Sequence, residues 1–261
     1  MADQADESSP RSSSPPNAGS TTRTSTGTAN FLSERRTDLI LNVVRLLVVV
    51  FFLGYVTGLG GKGAFYKALI AMAAASALRL YQRTREAPGN RADRTWAVVA
   101  TTVLAEDSCH HLMYCILFLI GSPVTFVLVP ITLFAFLHSM AFFVKLGNEM
   151  NVASGVVRPI GRLIEAEQQR MLMMAAMVEI MLMPLTIGMV ATGKIMLVAP
   201  FMYYRFLQLR YRSRRNPYCR LMFTQLRMAA ERLAQRSPPA IGNVISKGIG
   251  LVSRLAPPVA V

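Results

Sequence analysis

Along residues 39–59, 124–144 and 171–190, apolar side chains fall on every face of a would-be helix rather than along one stripe. Surface helices of soluble domains carry a stripe, whereas helices apolar all round are surrounded by lipid or by other apolar helices. Each run supplies ~20 residues, enough to cross a hydrocarbon core ~30 Å thick. Arg45 stands near one end of the first run, where its long stem lets the charge snorkel. Three further segments are weaker: residues 64–80 and 195–209 are short or polar-ended, and residues 96–120 are interrupted by Glu106, Asp107, His110 and His111.

Turn chemistry then pairs these segments. Thr57-Gly58-Leu59-Gly60-Gly61-Lys62-Gly63, Gly121-Ser122-Pro123 and Ala191-Thr192-Gly193-Lys194 are tight connections by composition. They predict three hairpins, over residues 39–80, 96–144 and 171–209, with loops at 79–94 and 145–170. The expected fold is all-α: a polytopic membrane protein of helical hairpins followed by C-terminal amphipathic helices. Six spans follow if every segment crosses, and three if the weaker ones lie shallowly in one leaflet. The chain divides accordingly into a disordered polar tail (residues 1–36, rich in Ser, Thr and Pro), a transmembrane hairpin region (37–210) and a basic amphipathic region (211–261). With no secretory signal read at the start, the first apolar run is expected to act as an uncleaved membrane signal.

Charge orients this arrangement. The net charge is +14, and from Arg205 onward eleven basic residues face one acid, Glu231. Every Arg-rich connection lies at the same end of the hairpins, including Arg79, Arg83, Arg85, Arg91 and Arg94. The positive-inside rule places that end, and both termini, in the cytosol. Overall composition, with 52% hydrophobic and 16% charged residues and a mean hydropathy of +0.38, argues against a soluble nucleic-acid-binding module. Cys109, Cys115 and Cys219 offer no even framework, so no disulfide is expected.

After residue 210 the apolar pattern changes to a single stripe. Tyr218, Met222, Leu226, Ala229 and Leu233 share a helix face over residues 218–236; Pro238-Pro239 stops that helix, and Ile241, Val244, Ile245, Ile249, Val252 and Leu255 begin a second stripe. Basic amphipathic helices of this kind lie on a membrane surface, and arginines contribute ~1 kcal/mol each toward anionic lipid. The expected membrane- or partner-binding residues are Arg205, Arg210, Arg212, Arg214, Arg215, Arg220 and Arg227, with anionic lipid of the bilayer as the partner. Packing of the helices on the protein itself is the alternative.

Ionisable residues at bilayer depth are costly and mark function or structural pairing. Glu106, Asp107 and His110, together with Glu179 in the third hairpin, are expected to form an intramembrane polar seam that locks neighbouring hairpins through an arginine or histidine. The rival reading is a small proton- or ion-coupled transporter or channel using these carboxylates. No metal-ligand spacing, nucleophile elbow, Walker loop or dinucleotide fingerprint is present, so neither a metal, a cofactor nor an enzymatic activity is expected. The Met residues of 171–196 read as packing.

Four stretches carry a resemblance: Glu106-Asp107-Ser108-Cys109-His110; Pro123-Val124-Thr125; Tyr203-Tyr204-Arg205-Phe206-Leu207 running through Arg214-Arg215-Asn216-Pro217-Tyr218-Cys219-Arg220; and Ser253-Arg254-Leu255-Ala256-Pro257. In this order, over residues 40–258, the chain resembles the transmembrane protein 33 family, also called Krüppel homologue 2, with yeast relatives at the nuclear envelope. The resemblance implies residence in the endoplasmic reticulum membrane and nuclear envelope, association with reticulon-type tubule-shaping proteins, and a part in nuclear pore distribution. It implies no catalytic residue, and it assigns no role to His111 or Cys115. Family members are usually drawn with three spans.

Overall fold

The computed structural model describes residues 36–86, 101, 103–149, 154–213 and 217–255. Nearly the whole expected tail, residues 87–94 of the loop expected at 79–94, Arg214 and Arg215 lie outside the described residues, and residues 79–86 are helical rather than loop.

The described residues form α-helices joined by turns. Helix α1 is Arg36–Val56 and α2 is Gly61–Glu86. Gly58 and Gly61 turn the chain between them at φ +80° and +52°, backbone conformations in which a Cβ would be strained. Tyr55 and Phe65 meet with ring centroids 5.6 Å apart beside this tip, and Asp38 pairs with Arg79 at 3.6 Å at the opposite end, closing the hairpin. On α1, Ile40, Val43, Leu47, Val50 and Leu53 stay exposed while Leu41 and Val48 are buried. An apolar surface of this extent is stable only when the surrounding solvent is itself apolar.

Helix α3 is Asp107–Leu119, α4 is Thr125–Glu149, α5 is Ser154–Ala191, and α6 is Ala199–Arg212. The tips of the second and third hairpins meet: the Ser122 backbone N–H donates to Lys194 O at 2.9 Å. The Tyr66 hydroxyl, one turn into α2, donates to Gly121 O at 3.1 Å, bringing the first hairpin to the same place. The core lies beneath these tips, where Leu69, Tyr114, Phe118, Leu128, Ile131, Leu182, Tyr203 and Phe206 are buried together. Pro130 in α4 and Pro184 in α5 each remove one helical N–H. Beside each, a tyrosine hydroxyl from another helix reaches the backbone, Tyr114 to Val127 O at 2.8 Å and Tyr203 to Glu179 O at 2.6 Å.

Three further expectations are corrected. The segment 96–120 is not one continuous helix: Glu106, in extended conformation, begins α3 afresh, leaving a helix of 13 residues, or ~20 Å, short of a ~30 Å core. The expected loop at 145–170 is largely helical. Helix α5 runs 38 residues through Pro159 to Ala191, and Gly147 and Gly161 let it lie close against α4 through Val157 and Val144. Finally, among the described residues four helices are long and apolar enough to cross a membrane, α1, α2, α4 and the 157–191 portion of α5, rather than six or three. Helices α3 and α6, of 13 and 14 residues, pack on the others as shorter partners.

Helices α7 (Tyr218–Arg236) and α8 (Pro239–Leu255) occupy the two ranges expected for the amphipathic end. They pack on each other, and α7 also packs on α5, with Cys219 buried at its start and Phe223 edge-on to Tyr211 at 5.7 Å.

Candidate functional site

Where α3, α5 and α6 meet below the aromatic core, Arg210 and Glu179 form a bidentate ion pair. Nε of Arg210 donates to Oε2 at 3.1 Å and Nη2 to Oε1 at 2.9 Å. Each side chain is 1% exposed. Helix periodicity explains the meeting: Tyr203, Phe206, Leu207 and Arg210 recur at three- and four-residue spacing on one face of α6, which turns inward and carries the guanidinium with it. Asp107, at the first position of α3, stands 3.8 Å from Arg210 Nη1 and accepts a hydrogen bond from Ser213 Oγ at 2.9 Å. A carboxylate at a helix N-terminus is also favoured by the helix dipole.

His110 Nε2–H donates to Leu104 O at 2.7 Å, and its buried Nδ1 faces Asp107 Oδ1 at 3.7 Å. The guanidinium of Arg210 lies over the Phe134 ring at 5.0 Å, a cation–π contact that brings in α4. Four helices thus converge on one arginine. Desolvating a charge is tolerable only when it is paired and hydrogen-bonded, and both conditions are met here.

Asp107, His110 and Glu179, three of the four residues expected in the polar seam, are brought together. Glu106 contributes its backbone carbonyl, which accepts the N–H groups of Cys109 and His110 at the head of α3. Arg210 requires correction. It was grouped with the headgroup-facing arginines, but it is buried and is the hub of the seam. The signal that could have found it is its place four residues after Phe206 and seven after Tyr203, on the apolar face of a helix whose polar face carries Arg205 and Arg212.

The remaining described arginines of that group lie at the surface. Arg205 and Arg212 are exposed and Arg220 half-exposed; Arg205 stacks on Phe201 at 5.3 Å, and exposed Arg227 pairs with Glu231 at 2.8 Å one helical turn on. Among them α7 and α8 leave Leu221, Met228, Leu233, Ile241 and Val244 exposed. Burial pushes the Cys219 thiol up to about 12, so it is a neutral packing group. Among the described residues no three potential ligands converge on a metal site.

Four membrane-length helices, two shorter helices filling their interior and a basic amphipathic end define a polytopic α-helical membrane protein. The family model described as Transmembrane protein 33/Nucleoporin POM33 matches residues 20–258, and the chain belongs to that family. It is 39% identical over 225 residues to Krueppel homolog 2 of Drosophila melanogaster, covering 85% of this chain and 79% of that protein. It is 37% identical over 240 residues to Transmembrane protein 33 of Homo sapiens (89% and 95%), and 35% identical over 237 residues to the Transmembrane protein 33 homolog of Caenorhabditis elegans (88% and 86%). No solved structure matches the chain.

Proposed function

We propose that this protein shapes or organises the membrane of the endoplasmic reticulum and nuclear envelope, by inserting helical hairpins of unequal depth and laying α7 and α8 on the cytosolic leaflet. The observation that carries this reading is the asymmetry of the molecule. The hairpin tips are short, carrying Lys62 and Lys194 as their only charges and with Leu59 90% and Leu197 82% exposed, whereas the opposite end carries the arginines and two helices that present uncovered apolar side chains. Helices buried ~5–10 Å into one leaflet expand it relative to the other, and arginines at headgroup level add attraction to anionic lipid. The word nucleoporin in the family description supports a place at the nuclear pore membrane. Reticulon-type proteins, which share hairpin insertion, are the proposed partners, and the role is not enzymatic.

The competing transporter reading draws on Glu179 and Asp107 at membrane depth. The bidentate partner of Glu179 favours a structural role instead, because a proton relay needs a carboxylate free to change its protonation.

Full-length protein reconstituted into phosphatidylserine-containing vesicles tests the proposal. Vesicles carrying the native chain become narrower or tubular by electron microscopy, and the triple variant Arg212→Glu, Arg220→Glu, Arg227→Glu leaves them at their starting diameter. Equal curvature from both proteins, or proton flux lost in Glu179→Gln, would reverse the assignment.

A further inference from the structure

Between α1, α2, α3, α4 and α5, with Arg210 of α6 and Tyr218 of α7 also in its wall, lies a cavity of 340 Å³ lined by Arg45, Arg79, Asp107, His111 and His138. Its size is at the lower end of the ~300–1,000 Å³ typical of small-ligand sites. Its wall is mixed in chemistry. Arg45 and Arg79, from α1 and α2, lie close enough to repel one another, with Asp38 as their shared counter-charge. In the same wall Asp107 stands at the head of α3, while Arg210 is committed to Glu179 and Asp107.

His138 lies within electrostatic range of Arg45, Arg79 and Asp107. Each imidazole keeps one acceptor nitrogen. His111 Nδ1–H donates to Asp107 O and His138 Nδ1–H to Phe134 O, each at 2.8 Å, which fixes the lone pair on Nε2. Nε2 of His111 is buried without a hydrogen-bond partner and closed off from the cavity, so that ring shapes the wall and leaves Asp107 as the acceptor an occupant can reach.

We infer that this cavity seats the headgroup of a phospholipid, with the phosphodiester against Arg45 and Arg79 and a hydrogen-bond donor of the headgroup, such as a primary ammonium, against Asp107. Paired guanidiniums match phosphate oxygens, whereas the Asp107 carboxylate selects a headgroup that carries N–H or O–H. Arg45 is ~16 Å along α1 from the hairpin tip, and the site uses none of the arginines of α7 and α8. A bound lipid here would tie α1 and α2 to α3 and α4.

The test uses the full-length protein in a neutral detergent, titrated with dioctanoyl phosphatidylethanolamine and read by native mass spectrometry. Saturable binding of one lipid is expected, weakened at least tenfold in Arg45→Gln/Arg79→Gln and in the charge-neutral, cavity-filling Ala75→Met. Retained helical circular dichroism and an unchanged elution volume establish that each variant is folded. Dioctanoyl phosphatidylcholine, which lacks an N–H donor, binds more weakly, and dioctanoylglycerol does not bind. Unchanged binding in both folded variants would overturn the site, and equal affinity for the choline lipid would overturn the role given to Asp107. Competition by inorganic phosphate at the same concentration as the lipid would show that free phosphate, not lipid, is the ligand.

Discussion

Arg210 shows how one side chain ties an interior together and how its removal should be read. Taking away one partner of a buried ion pair leaves an uncompensated charge and costs ~3–5 kcal/mol, whereas replacing both by apolar groups of similar volume is often neutral or stabilising. Arg210→Met leaves both Glu179 and Asp107 without their guanidinium, but Glu179→Leu leaves Arg210 still 3.8 Å from Asp107. The expected order of thermal midpoints in detergent is therefore native or Glu179→Leu/Arg210→Met highest, Glu179→Leu lower and Arg210→Met lowest. A double variant no better than Arg210→Met would mean that hydrogen-bond geometry, not charge compensation, holds this joint. The carboxylates and His110 were legible in the sequence because charges within apolar runs stand out. Arg210 was harder to see, because it sits among exposed arginines and only its helical spacing from Tyr203 and Phe206 separates it from them.

At the scale of elements, the junction between α7 and α8 depends on one close approach. A Cβ at Gly242 would come 2.7 Å from Ala234 O, an atom of fixed backbone that cannot swing aside, while a Cβ at Gly248 would meet open space. Gly242→Ala should widen the angle between the two helices, lengthening the distance between spin labels at Met228 and Val244 by electron paramagnetic resonance; Gly248→Ala should leave it unchanged. The two helices themselves could be read from Pro238-Pro239 and the apolar stripes on either side, since a proline pair cannot continue a helix and periodicity places the faces. Their junction could not, because the approach of Gly242 to Ala234 depends on the turn between them. The same limit explains the long α5. Pro159 and three glycines made residues 145–170 read as a loop, yet in a helix pressed against α4 the loss of one hydrogen bond at Pro159 is offset by packing, and Gly147 and Gly161 become contact points.

For the molecule as a whole, the proposed orientation makes a labelling prediction. In sealed microsomes, a membrane-impermeant maleimide should react with Val244→Cys without permeabilisation, and with Leu59→Cys or Leu197→Cys only after it; all three positions are exposed in the fold. Cys115 and Cys219 are buried, and the half-buried Cys109 is replaced by serine in the labelling background. Reaction of the two tips together with Val244 on the outside would overturn the orientation. Salt gives a second handle: surface attraction to anionic lipid is screened over ~8 Å at physiological ionic strength, so the curvature attributed to the arginines should weaken as salt rises, while the buried Arg210 to Glu179 pair should not respond.

Sequence by itself determined that the chain is helical and membrane-embedded, that its apolar segments turn back at three Gly-bearing tips, and that basic charge gathers at the opposite end. Those features follow from composition and periodicity, which act locally along the chain. Only the tertiary structure decided how many helices are long enough to cross, that Arg210 goes inside, and that Arg45, Arg79 and Asp107 line one cavity. Those outcomes depend on the rotation and depth of each helix against its neighbours, quantities set by side-chain packing between segments far apart in the chain.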